Sequence, residues 1–146
     1  SILVRSGKVV RGMSCHYPRP ESVLYKTLDG AVRIARVSSA AALGGVVWAV
    51  GGLGLLDCYA PAAEGFTGAY SDVLRKTNHT VLGYKGGMLY GVCCKSMTAQ
   101  QVNAFCRDKL KLEYAVMLDG GHVAAIHGAC NKINTQTRQF YAVRFL

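Results

Sequence analysis

An acid, two glycines and an imidazole stand in succession at Asp119-Gly120-Gly121-His122, directly after the apolar run Tyr114 to Leu118. Five apolar residues ending in turn chemistry read as a buried strand. Glycines there tolerate positive φ and let another backbone or a ligand come close. A carboxylate and an imidazole at such a strand end have the side chains for acid–base work or for stabilising a developing cation. A second polar cluster, Arg75-Lys76-Thr77-Asn78-His79-Thr80, leads into Val81-Leu82-Gly83-Tyr84. Its cations could hold an anion such as phosphate. Taken singly, each stretch is equally an ordinary polar turn.

The elements that must position these residues raise them above that. Thr98-Ala99-Gln100-Gln101 has capping-box spacing, and Val102, Phe105, Cys106 and Leu110 follow at helical intervals, with Arg107, Asp108, Lys109 and Lys111 facing away. Val81 to Tyr84, the Lys85-Gly86-Gly87 turn and Met88 to Cys94 read as a hairpin. The order is strand, capped helix, buried strand and glycine turn, and ligands of such crossover units sit outside the carboxyl ends of the strands.

In that order and spacing, the stretch from Thr80 to Ile126 resembles the phosphodiester glycosidase family, over about a third of the chain. Family members show Arg-Thr-Ala-Ile-Gly, a short hairpin, a Thr-initiated helix and Leu-Asp-Gly-Gly-Gly-Ser. Here the corresponding residues are Asn78-His79-Thr80-Val81-Leu82-Gly83, the Lys85-Gly86-Gly87 turn, the Thr98 helix and Leu118-Asp119-Gly120-Gly121-His122. His79 stands at the arginine position, His122 at the third glycine and Val123 at the serine. Val50-Gly51-Gly52-Leu53 is similar to the family's Asn-Gly-Gly-Phe-Phe strand end, with Val50 in place of the asparagine.

The resemblance implies hydrolysis of a sugar 1-phosphodiester. Asp119 would lie beside the anomeric carbon, and His122 would act as acid or hydrogen-bond donor. Arg75, Lys76, His79 and Thr80 would hold the phosphate, and Gly51, Gly52, Gly120 and Gly121 would admit the ligand. Ordinary glycoside hydrolysis wants two carboxylates flanking the bond. A phosphate monoester leaves more readily than a sugar alkoxide, so one carboxylate could suffice. The alternative is a binding module. His122 and Val50 could preserve the pocket while removing turnover, giving a protein that sequesters a sugar phosphodiester or an ADP-ribose-like nucleotide, as a viral or phage anti-defence sponge would.

Composition bounds the rest. The 146 residues are half apolar and read as a single domain spanning 1–146, long enough for a core. Seventeen Lys and Arg against eight Asp and Glu give a net charge of +9, which attracts anions. No run exceeds two adjacent cations and no recognition helix or aromatic platform is evident, so an anionic small molecule is expected rather than nucleic acid. A homo-oligomer stays open. Val37 to Leu56 holds 20 uncharged residues, but its glycines break it into loop, buried strand and loop rather than a membrane span. Asp57 to Val73 reads as a loop that could act as a lid or a binding loop. The six cysteines read as buried reduced thiols. The spacing of His122, His127 and Cys130 does not match a zinc site, no cofactor is called for, and a divalent cation at Asp119 stays open. No charged-then-apolar leader opens the chain, which points to the cytoplasm. The expected fold is α+β: a mixed β-sheet with a strand–helix–strand unit and a glycine turn at the strand end.

Overall fold

The strand Val46–Gly54 is the hub of the molecule. The computed structural model describes residues 1–121 together with two short strands, Ile126–His127 and Lys132–Ile133. Within it, β5 (Val46–Gly54) pairs antiparallel with β3 (Glu21–Thr27), with β1 (Leu3–Arg5) and, through Leu53 and Gly54, with β8 (Tyr114–Gly120). β2 (Lys8–Arg11) extends the sheet beyond β1, and β4 (Val32–Val37) extends it beyond β3. Past β8 lie β6 (Thr77–Lys85) and β7 (Met88–Met97), completing eight strands. β9 (Ile126–His127) and β10 (Lys132–Ile133) pair separately. With the short helix that follows β7, this is the α+β class expected.

The uncharged stretch around Trp48 is strand β5, as its glycines require. Among the described residues no helix is long and apolar enough to cross a membrane. Gly86 (φ 55) and Gly87 (φ 84) form the two-residue turn of the β6–β7 hairpin, where both positions need positive φ. β7 and β8 each run antiparallel to β6, so they are parallel to one another and the chain between them crosses over β6. That crossover carries α1 (Ala99–Phe105), which passes into a π-helical turn at Cys106–Leu110 and ends with Lys111 left-handed. Thr98 caps α1 as its spacing predicts: its hydroxyl accepts from the Gln101 amide, and the Gln101 side chain accepts from the Thr98 amide. Thr98→Ala is expected to lower stability by about 1 kcal/mol. A urea midpoint that does not move would show that tertiary packing, not the cap, fixes this helix.

Alternation along the strands divides the apolar side chains between two faces. Val81, Ala115 and Met117 join Val102 and Cys106 of the helical segment in one core. Leu82 and Val116 point the other way and pack with Leu24 of β3, with Trp48 beside them. β8 is therefore buried on both faces, which is why its sequence shows an unbroken apolar run.

The loop segment over residues 57–73 is anchored at Glu64, and its end supplies Asp72 and Val73 to the cavity described below. Glu64, fully buried, accepts from the Ser22 and Gly54 amides (3.3 and 3.2 Å) and from the Ser22 hydroxyl (2.7 Å), and pairs with Arg36 (3.3 Å). His16 is a half-buried wedge. Its ring packs against Phe66 and Tyr70, and Nδ1 lies 2.8 Å from the Glu64 carbonyl. A second buried acid, Glu21, accepts from the Ile2 and Cys15 amides.

Candidate functional site

The pairing of β6 with β8 brings the two polar clusters together. His79 is opposite Gly120, while two residues further along β6 Val81 is opposite Met117. Two steps on β6 thus face three on β8, so β8 carries a bulge at Leu118-Asp119. Bulges re-aim side chains, and this one leaves Asp119 exposed at the end of a buried strand. One Asp119 carboxylate oxygen accepts from the Gly120 amide at 2.8 Å. β7 is irregular at the same level: Ser96 has φ 52, and its amide donates to the Asn78 side chain.

A cavity of about 110 Å³ opens here, lined by Asp72, Val73, Arg75, Thr77, His79, Asp119, Gly120 and Gly121. Arg75 forms an exposed ion pair with Asp72. His79 is fully buried, and its Nε2 faces two carbonyls, of Met97 at 2.9 Å and of Arg75 at 3.3 Å. Two acceptors on one side require Nε2 to carry the hydrogen. Nδ1 then presents a lone pair and has no hydrogen-bond partner among the described residues. A β-carbon on Gly120 would lie 3.1 Å from Nδ1 and 2.6 Å from the Asn78 carbonyl oxygen, so only a bare glycine fits against the ring.

Of the residues singled out by sequence, Asp119, Gly120, Gly121, Arg75 and His79 share this cavity. Lys76 and Thr80 flank it in sequence without lining it, and His122 lies outside the described residues. Gly51 and Gly52 serve packing. Their missing β-carbons make room for the Glu21 carboxylate and for the Met117 carbonyl, and neither lines the cavity. In the sequence Asp72 is one of three acids, with Asp57 and Glu64, between residues 57 and 73. Its spacing of three from Arg75 is the signal that could have placed it.

The five described cysteines are free. Cys94 and Cys106 are buried as expected, but Cys58 and Cys93 are only partly buried and Cys15 is exposed. Even so, burial around its sulfur and the adjacent Glu21 carboxylate push the Cys15 thiol up to about 11, and burial pushes Cys106 up to about 12. A thiol that ionises so late reacts slowly, so Cys15 should alkylate about tenfold slower than a free cysteine at pH 8. Iodoacetamide labelling followed by peptide mass spectrometry measures this directly. Rapid labelling of Cys15 would mean that Glu21 does not act on it. Among the described residues no three His, Cys, Asp or Glu side chains converge to hold a metal ion.

No family model and no curated protein matches the sequence. Among solved structures, the chain is similar to the catalytic domain of zebrafish N-acetylglucosamine-1-phosphodiester alpha-N-acetylglucosaminidase, auto-inhibited by its pro-peptide, with a TM-score of 0.63. The two share a fold. Identity is 18%, and the match covers 86% of this chain and 47% of that one, so the chain spans about half the length of the solved domain. The resemblance read from the Asp119 turn and the Thr98 helix is therefore supported at the level of architecture.

Proposed function

We propose that this chain acts on a sugar 1-phosphodiester at the cavity between the ends of β6 and β8. The observation that carries this is the bulge that exposes Asp119 across the strand pair from His79, in a fold shared with a phosphodiester glycosidase catalytic domain. The Asp119 carboxylate lies beside the anomeric carbon and stabilises the positive charge that develops there. The bond from that carbon to the phosphate oxygen breaks, and the phosphate monoester departs with the bonding electrons. Water adds its oxygen to the carbon and loses a proton, which the departing phosphate takes up. Arg75, released from Asp72, and His79 hold the phosphate.

One feature favours binding without turnover as a second reading. The only other carboxylate in the cavity, Asp72, is already paired with Arg75, so among the described residues no second acid is free to activate water. Incubation with a panel of sugar 1-phosphodiesters and ADP-ribose-type nucleotides, followed by mass spectrometry, separates the two. Turnover that falls about a hundredfold in Asp119→Asn supports hydrolysis. Ligand retained stoichiometrically and released intact on denaturation supports sequestration. A panel neither cleaved nor retained overturns both.

A further inference from the structure

The two faces of the sheet are not equally covered. Helix α1, the helical turn Ala40–Leu43 and the loop bearing Phe66 and Leu74 all pack on the face that carries Ala49, Val81 and Met117. The opposite face holds a cluster made of strand residues alone. Leu24, Leu82 and Val116 are buried in it, while Ile34, Trp48, Val50 and Tyr114 around them are only half-buried. Among the described residues no helix or loop lies over this cluster. An apolar sheet face ordinarily packs against a second layer.

Cations border this face along one side. Leu3 is opposite Arg11 and Val4 opposite Val9, so Val10 is an extra residue in β2. Cross-strand partners share a face, and the extra residue puts Lys8 and Arg11 on the same side as Leu3 and Arg5. Leu3 is in turn opposite Val50, and Lys26 is opposite Trp48. Arg5, Lys8 and Arg11 are exposed. The eight acidic side chains of the chain all lie between residues 21 and 119, and their salt bridges take up Arg36, Arg75 and Arg107. The four cations on this face are therefore uncompensated among the described residues. Residues 122–146 bring Lys132, Arg138 and Arg144 and no acidic side chain, so they cannot supply the missing charge.

We propose that this face docks an amphipathic helix of a partner protein, its apolar side on Ile34, Trp48 and Val50 and its acidic flank against Arg5, Lys8, Arg11 and Lys26. A helix laid on a sheet completes the missing layer, and acids on its flank meet the uncompensated cations. A second copy of this chain fits poorly, because two such faces would bring two sets of cations into one interface. Single-stranded nucleic acid fits poorly as well. Tyr84 and Tyr114 stack on each other, with centroids 6.1 Å apart and planes 13° from parallel, and Ile34 and Val50 offer no ring for a base. None of the docking residues lines the Asp119 cavity, so this surface stands apart from the phosphodiester reading.

Trp48 is the single tryptophan of the chain, so its fluorescence reports on this face directly. In the free protein, iodide should quench it about twofold more effectively than caesium, because the surrounding cations gather anions. The docking probe is a capped peptide of about 15 residues, with leucine and isoleucine at helical spacing and glutamate elsewhere. It should shift Trp48 emission to the blue and bind about tenfold or more tighter than the same peptide with lysine for glutamate, and added salt should weaken it. The double variant Lys8→Glu, Arg11→Glu changes two exposed positions and should lose about tenfold in affinity for the glutamate peptide. The quenching and peptide comparisons use the unaltered protein, so they decide the matter even if that variant fails to fold. Equal quenching by the two ions, a Trp48 that neither ion reaches, or equal binding of the two peptides would each overturn the proposal. So would self-association that shields Trp48, or an emission shift given by phosphatidylserine vesicles or oligothymidylate but not by the glutamate peptide.

Discussion

Glu64→Ala is expected to destabilise the protein by about 3–5 kcal/mol, because a buried carboxylate that satisfies several donors is lost. The carboxylate gathers two backbone amides, one hydroxyl and the Arg36 guanidinium, and it is fully buried. Truncation leaves three donors without their acceptor, while the exposed Arg36 keeps its bond to the Cys58 carbonyl, and each unmet buried donor adds about 1–3 kcal/mol if water cannot enter. Because Glu64 ties the chain between β5 and β6 to both β3 and β5, the same change should free the Asp72–Arg75 turn that walls the cavity. Urea unfolding followed by circular dichroism reads the first effect, and proteolysis within residues 57–76 reads the second. A loss below about 1 kcal/mol would mean that Phe66 and His16 anchor this segment without the carboxylate.

Gly52→Ala should cost about 1–3 kcal/mol and also disturb the site from a distance. The new methyl would sit 2.5 Å from the Met117 carbonyl oxygen, and its obstacle is backbone rather than a flexible side chain. β5 and β8 pair through Leu53↔Met117 and Gly54↔Val116, directly beside Gly52, so β8 must move away from its partner. Asp119 lies two residues beyond Met117 on that strand. Ligand binding should therefore fall together with the thermal midpoint, whereas Thr98→Ala should lower stability while leaving binding intact. If Gly52→Ala binds normally, the bulge at Leu118-Asp119 isolates the site from the rest of β8.

The parts of the fold that could be read from sequence are those set by local chemistry. The Gly86-Gly87 turn, the Thr98 cap and the Tyr114 to Leu118 strand follow from backbone freedom, hydrogen-bond spacing and hydrophobic pattern. The branching at β5 does not, because nothing local states which strands will share an edge. The same division holds at the site. Asp119 and His79 stand out as polar residues at the ends of apolar runs, but only the β6–β8 register, with His79 opposite Gly120, brings them to one cavity. Glu64 reads as a loop acid in the sequence because burial of a charge depends on partners such as Ser22 and Arg36, far away along the chain. Gly51 and Gly52 illustrate the converse: glycines that suggest ligand approach are equally what close strand packing demands. His122 lies outside the described residues.

The shared strand has a consequence for how this molecule comes apart. β5 belongs both to the half-sheet of β1 to β4 and, through its last two residues and Leu55, to the half-sheet that carries the cavity. Neither half can peel away without stripping an edge from the other, and a half-sheet alone exposes the Leu24–Leu82–Val116 face. Unfolding is then a single cooperative event, in which damage near β3 or β4 is felt at Asp119 as a loss of folded molecules rather than as a distorted site.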